Sequence, residues 1–309
     1  DLAITISGVD SDGTDLSSET HVTKLNKIAS HFDSSNTSGT ITAEITAQKS
    51  VLLDGDSSTL NTSTNDTISI TISNAVAPDE WSTIKAKTKG TVTAAGNFEG
   101  AIGTFATADG LTDEWDAAVT ANPAKSVSIT TTLTTEDHIS ALNHIASDDT
   151  HTGNGSTISA TVQAGLSTID VDNLDTDATD DIDITITGAL DGDDIEDINS
   201  IKAKTAGVIT ISDGITASAA ALTHAENGLD TDSNDSVKIT ASGTGDNASN
   251  IANSIALASL TDDITNITIA GITDNQANIA GTGVEDDASG LSDLKTLTST
   301  SDTADAIDA

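Results

Sequence analysis

In the stretch "DIDITIT", Ile182, Ile184 and Ile186 alternate with Asp183, Thr185 and Thr187. An apolar residue at every second position lines one face of an extended chain, the period of a half-buried strand. Similar alternation starts near Ile4, Ile41, Ile68, Val92, Val127, Ile158, Val208, Val237 and Ile267. The starts lie about 29 residues apart on average, inside the roughly 20–50 residue period of repeat arrays. Between strands the period changes. Val22, Leu25 and Ile28 are three apart, as are Ile139, Leu142 and Ile145, which predicts short helices. Ser18 and Thr135 stand where N-caps belong, with Glu19 and Glu136 in the first turn. A second helix type carries Ile195, Ile198 and Ile201 and stops at Thr205 and Gly207.

The chain also repeats over a longer range. "WSTIKAKTKGTVTA" from Trp81 returns as "NSIKAKTAGVITI" from Asn199, with Ile84 matching Ile201 at an offset of 117 residues. "ETHVTKLNKIAS" from Glu19 returns at the same offset of 117 as "EDHISALNHIAS" from Glu136. "ISITISNA" at Ile68 maps onto "IDITITGA" at Ile182 with an offset of 114. A weaker third copy is visible at an offset of 110, where "SVSITTT" at Ser126 becomes "SVKITAS" at Ser236. The expected organisation is therefore a first repeat over 1–117, a second over 118–234 and a partial third over 235–309.

A strand, a crossover and another strand favour parallel pairing. The expected fold is a β-rich repeat solenoid with short helices between parallel strands, each layer packing on its neighbours. The competing architecture is a string of small β-sandwich domains.

Composition sharpens this picture. Forty-nine acidic residues against 11 basic give a net charge of −38, and nine of the acids are Glu, leaving 40 Asp. Such charge repels nucleic acid and anionic lipid, so neither is an expected partner. The absence of Cys removes disulfides, thiolate zinc and thiol catalysis. No apolar run reaches the roughly 18 residues of a membrane-spanning helix. No nucleophile elbow, P-loop, zincin motif or dinucleotide fingerprint stands in its required context, so an enzyme is not expected. The recurring basic residues, Lys85 and Lys87 with Lys202 and Lys204, read as structural because they return in each copy. The six His offer no paired ligand spacing.

Asp favours turns and caps, and it is also a compact ligand for hard cations. Candidate Ca²⁺ sites are the turns "LDTDATDD" (Asp175, Asp177, Asp180, Asp181) and "LDTDSND" (Asp230, Asp232, Asn234, Asp235). The first repeat supplies Asp54, Asp56 and Asp66. A second family of turns supplies Asp10, Asp12 and Asp15, and Asp191, Asp193 and Asp194. The spacing of Asp230, Asp232 and Asn234 matches the first three ligands of an EF-hand, but the Gly and Glu that complete that loop are missing. The alternative for every one of these turns is plain turn and cap chemistry without an ion.

Outward Thr pairs such as Thr91 and Thr93, Thr130 and Thr132, or Thr185 and Thr187 could stack into rows on a parallel sheet. They resemble, loosely, the Thr ladders of ice-binding solenoids. That gives the alternative function, an adhesin or binding module with a Thr-lined face for ice or glycan.

The phrases "LNKIAS", "GTITA" and "INSIKAKTAGVITISDGITASAAAL" resemble the repeats of very large surface proteins of marine cyanobacteria. The likeness is one of rhythm and covers most of residues 1–260. It implies an extracellular structural protein, a rod- or filament-forming segment of a cell-surface or matrix assembly, stabilised by Ca²⁺ and associating with itself. The "GGxGxD" array of nonapeptide Ca²⁺ repeats is not present. Asp1 in place of an initiator Met, and a C-terminal "LSDLKTLTSTSDTADAIDA" that reads as the start of another unit, lead us to expect a longer parent chain.

Overall fold

The computed structural model describes residues 3–6, 19–34, 39–53, 59–148, 155–169, 174–241, 253 and 256–269. It is a mixed α/β structure in which short helices connect strands that pair almost entirely in parallel. The chain divides into two compact units. One is Asp1–Thr131 with Ser140–Ala160; the other is Thr132–Ile139 with Thr161–Ala309.

In the first unit, β1 (Ala3–Ile6), β2 (Thr40–Ala47), β3 (Thr67–Ile72) and β4 (Val92–Ala94) form a parallel sheet in sequence order. The helices α1 (Glu19–Ser34), α2 (Lys49–Leu53) and α3 (Pro78–Lys85) make the crossovers. Register follows the alternation in the sequence: Ile45 pairs with Ile70, and Ile70 with Val92. One sheet face is therefore a continuous layer of buried Ile, Val and Ala. Each Ile or Val there contributes about 1.5–3 kcal/mol by leaving water. Val22, Leu25, Leu52, Trp81 and Ile84 are among the buried residues of these helices.

Beyond β4 the first unit departs from the repeat. β5 (Phe98–Gly100) leads into α4 (Ile102–Phe105), then an antiparallel hairpin of β6 (Ala106–Thr107) and β7 (Gly110–Leu111), then α5 (Asp113–Ala121). β5 pairs in parallel with β8 (Val127–Leu133). Trp115 packs edge-on against Phe98, with ring centroids 5.3 Å apart, and against Phe105 at 5.2 Å. These three rings are fully buried and form a local core that alternating Ile and Val do not foreshadow.

α6 (Glu136–Ala146) starts where the sequence predicts. Thr135 Oγ1 accepts the His138 amide at 3.3 Å, the N-cap bond expected there. β9 (Ile158–Ala164) is divided, with residues 158–160 in the first unit and 161–164 in the second. α7 (Leu166–Ile169) follows it.

In the second unit, pairing runs from β9 through β10 (Asp181–Ile186), β12 (Ile209–Ala217) and β13 (Ser236–Ala241) to β14 (Ile267–Ile269). The two-residue β11 (Leu190–Asp191) sits beside the far end of β12. α8 (Ile195–Lys202) connects β11 to β12, and its Ile195, Ile198 and Ile201 are buried as the three-residue spacing predicts. α9 (Ala219–Leu222) follows β12. β12 is longer than its counterparts because it carries a bulge between Ile211 and Ile215. Gly214 takes φ +92° there, a conformation that favours glycine.

Candidate functional site

Three turns, Leu60–Asp66, Leu174–Asp180 and Leu229–Asp235, share the pattern Leu-x-Thr-x-x-x-Asp. The Leu is buried in each, and the closing Asp is buried too: Asp66 is 6% exposed, Asp180 7% and Asp235 0%. A buried carboxylate is costly unless its oxygens are satisfied. Here backbone amides satisfy them. Asp66 Oδ2 accepts Ser63 N at 3.1 Å, Asp180 Oδ2 accepts Asp177 N at 3.1 Å, and Asp235 Oδ2 accepts Asp232 N at 2.9 Å. The other oxygen reaches across the sheet. Asp66 Oδ1 accepts Ile41 N at 2.9 Å, at the start of β2. Asp235 Oδ1 accepts Ile209 N at 2.7 Å, at the start of β12. Asp66 and Asp235 thus each fasten the beginning of one strand to the turn that opens the next.

A Thr returns the bond from the other side. Thr205 Oγ1 accepts Ile182 N at 2.9 Å and Gly207 N at 2.8 Å, and lies 2.8 Å from Ile182 O. Thr88 does the same with Ile68 N at 2.8 Å, Gly90 N at 2.9 Å and Ile68 O at 2.7 Å. In the third copy Thr261 Oγ1 accepts Val237 N at 3.2 Å. The residue after each Thr donates its amide to the turn Asp carbonyl, always at 2.7 Å: Lys89 to Asp66, Ala206 to Asp180, Asp262 to Asp235. Asn26 and Asn199 clasp the same turns from the helices. Asn61 N and Asp230 N each donate to the Asn Oδ1 at 2.7 Å.

These contacts fix where the predicted ion ligands lie. Asp66, Asp180 and Asp235 point inward to backbone amides. Asp177 and Asp232 are exposed, and each closes a local turn: Thr179 N reaches Asp177 Oδ1 at 2.7 Å, and Asn234 N reaches Asp232 Oδ1 at 2.7 Å. The Thr179 hydroxyl and amide hold Asp177 below the usual carboxylate pKa, and the Asn234 amide does the same for Asp232. Asp191 and Asp194 form a reciprocal cap before α8, in which Asp193 N donates to Asp191 Oδ1 at 2.9 Å and Asp191 N to Asp194 Oδ2 at 2.8 Å. Asp175, Asp181, Asp193, Asp230 and Asn234 stand on the exposed rims. Asp10, Asp12, Asp15, Asp54 and Asp56 lie outside the described residues. Among the described residues, no three His, Cys, Asp or Glu side chains gather where they could hold one metal ion.

The Lys residues of the repeated phrase are also placed. Lys87 Nζ donates to Leu60 O at 2.7 Å, and burial pushes its pKa down. Lys202 is 2.9 Å from Asp235 and 3.8 Å from Asp232. A pocket of about 290 Å³ beside α8 and α9 is lined by Asn199, His224, Glu226, Asp230 and Ser259 among others. Its Asn199 is engaged in the turn clasp, and His224 Nδ1 accepts two backbone amides at 3.2 Å.

The outward Thr residues fall in register. Thr46 pairs with Thr71 and Thr71 with Thr93; Thr216 pairs with Thr240 and Thr240 with Thr268. Glu44, Asp183 and Lys238 interrupt the same faces. Among the described residues no helix is long and apolar enough to cross a membrane. No protein-family model, curated protein or solved structure matches the chain. From sequence Thr205 and Gly207 read as a helix end and the four Lys as structural; the partners of these Thr and of Asn26 and Asn199 do not show there, although the pattern "Thr-x-Gly" at Thr88 and Thr205 marks the position.

Proposed function

We propose that this chain is an extracellular structural protein, a repeat solenoid that forms a rod- or filament-like segment of a surface or matrix assembly. The observation that supports it is the recurrence of one clasp: a buried Asp bonded by a partner Thr at Asp66 with Thr88 and Asp180 with Thr205, and at the third turn Asp235, whose carbonyl accepts Asp262 N while Thr261 Oγ1 accepts Val237 N. Groups that return in every copy and spend their polar atoms on the neighbouring backbone serve the scaffold, not a reaction. The rims between clasps carry the surplus negative charge. Ca²⁺ screens and bridges these exposed carboxylates, and copies of the chain associate with one another.

The test is thermal unfolding of the chain with millimolar Ca²⁺ and with chelator, with particles imaged in both. Elongated particles and a higher midpoint in Ca²⁺ are expected. Compact particles would overturn the rod, and an unchanged midpoint would remove the cation from the proposal. A second reading, a binding module, is favoured by the in-register Thr rows. It predicts retention on ice or on an insoluble neutral polysaccharide, lost when Thr71 becomes Lys.

A further inference from the structure

Groups that return in each copy serve the scaffold, so a ligand belongs where the repeat is broken. The segment ahead of the Leu-x-Thr turn reads "DGDSST" at 54–59 and "DVDN" at 170–173, but "THAENG" at 223–228. Only the last carries a His and a Glu, and it borders the pocket of about 290 Å³ in the second unit. This loop is preformed. Leu229 N donates to Leu222 O at 2.8 Å and Gly228 N to His224 O at 2.8 Å, closing it on itself. Asn199 of α8 holds it from the side, donating from Nδ2 to Gly228 O at 2.7 Å and accepting Asp230 N at 2.7 Å. His224 Nδ1 accepts Glu226 N and Asn227 N, both at 3.2 Å, which leaves the ring proton on Nε2 as a donor. A loop tied down in this way loses little entropy when a ligand binds.

The free groups at the pocket define the ligand. Among the described residues, the side-chain carboxylates of Glu226 and Asp230 make no hydrogen bond or ion pair. Ser259 Oγ donates to Ala256 O at 2.7 Å and keeps its lone pairs. The pocket thus offers acceptors from Glu226, Asp230 and Ser259, one donor from His224, and the buried Leu222 and Leu260 as an apolar wall. Two carboxylates without a counter-charge favour a cation. Among the described residues no three ligating side chains converge on one ion, so a metal does not fit. An ammonium, with three donors and no acceptor, does. The His224 donor calls for a hydroxyl on the ligand, and the Leu wall for a face of C–H groups. The volume lies near the lower bound of roughly 300 Å³ for small-molecule sites, room for one sugar ring. We propose that this pocket binds a protonated amino sugar, with its ammonium between Glu226 and Asp230 and a ring hydroxyl on His224 Nε2. The net charge of −38 raises the local concentration of such a cation. The site needs no neighbouring copy, so it stands whether or not the chain forms a rod.

The test is calorimetric titration of the full chain with glucosamine, glucose and N-acetylglucosamine in physiological salt. Glucosamine is expected to saturate a single site. The two neutral sugars are expected to bind at least about 10-fold more weakly, the scale of one lost hydrogen bond to a charged group. Glu226→Gln weakens glucosamine binding by about 10-fold. Glu99→Gln, at an exposed position of the first unit, leaves it unchanged. Both variants remove one negative charge, so the contrast separates the pocket from the field of the whole chain. Absence of saturable glucosamine binding overturns the proposal. Equal affinity for glucose overturns it too, because the ammonium is then not recognised, and so does equal weakening by Glu99→Gln. A glucosamine trimer separates two sources of the ligand: tighter binding than the monomer assigns the end of a glycan, and equal or weaker binding the free sugar. If Glu226→Gln fails to fold, the wild-type series of three sugars decides.

Discussion

Asp66 and Ile41 are joined across two neighbouring strands: the carboxylate at the mouth of β3 accepts the first buried amide of β2 at 2.9 Å. The same carboxylate accepts Ser63 N at 3.1 Å, so one side chain satisfies one buried and one part-buried donor. Asp66→Ala leaves both without a partner. A loss of about 2–4 kcal/mol is expected, since each stranded donor costs about 1–3 kcal/mol. Urea unfolding of the variant measures it. A change below about 0.5 kcal/mol, the range of ordinary surface substitutions, would show that the bond is not made.

Thr205 is the matching test from the other side. Thr205→Val keeps the shape and removes the oxygen, stranding Ile182 N and Gly207 N. We expect a cost of about 2–4 kcal/mol, while Thr205→Ser retains the oxygen and costs about 1 kcal/mol. Equal losses in Val and Ser variants would mean that the methyl group, not the hydroxyl, matters.

Gly207 should tolerate nothing larger. A Cβ placed there would sit 2.3 Å from Ile182 O, and at Gly90 the same distance of 2.3 Å separates it from Ile68 O. Backbone must move to admit it. Gly207→Ala and Gly90→Ala are each expected to lower stability by more than about 2 kcal/mol, read from denaturant midpoints. Gly103 has open space where its Cβ would go, so Gly103→Ala serves as the control with a neutral outcome.

The lowered pKa of Asp177 gives a pH signature. Its folded pKa lies below the unfolded value, so its contribution is complete above the unfolded carboxylate pKa of about 3.9 and drains as pH falls through the folded one. Asp177→Asn cannot titrate. The stability gap between wild type and Asp177→Asn should therefore be constant near neutrality and close toward about pH 2. A gap that persists in acid would locate the effect in the turn geometry and not in the charge.

Much of this architecture is legible in the sequence, for a simple reason. Ile182, Ile184 and Ile186 can be buried together only on one face of a strand, and Ile195, Ile198 and Ile201 only on one side of a helix. The N-cap at Thr135 is equally local. Long-range chemistry is not. Asp66 reads as a turn residue or a cation ligand because its partner, Ile41 N, is 25 residues away and invisible as a backbone amide. The insertion from Phe98 to Ala121 was also hidden. Its core rests on three aromatic rings meeting from separate elements, which no period announces.

The clasp has a direction. Ile41 N waits for an Asp 25 residues further along the chain, and Ile209 N for one 26 residues further. A strand emerging from the ribosome is thus complete only when the following turn has been made. Folding during synthesis must trail translation by about one such interval, and an interrupted chain ends in a strand whose first amide has found no acceptor.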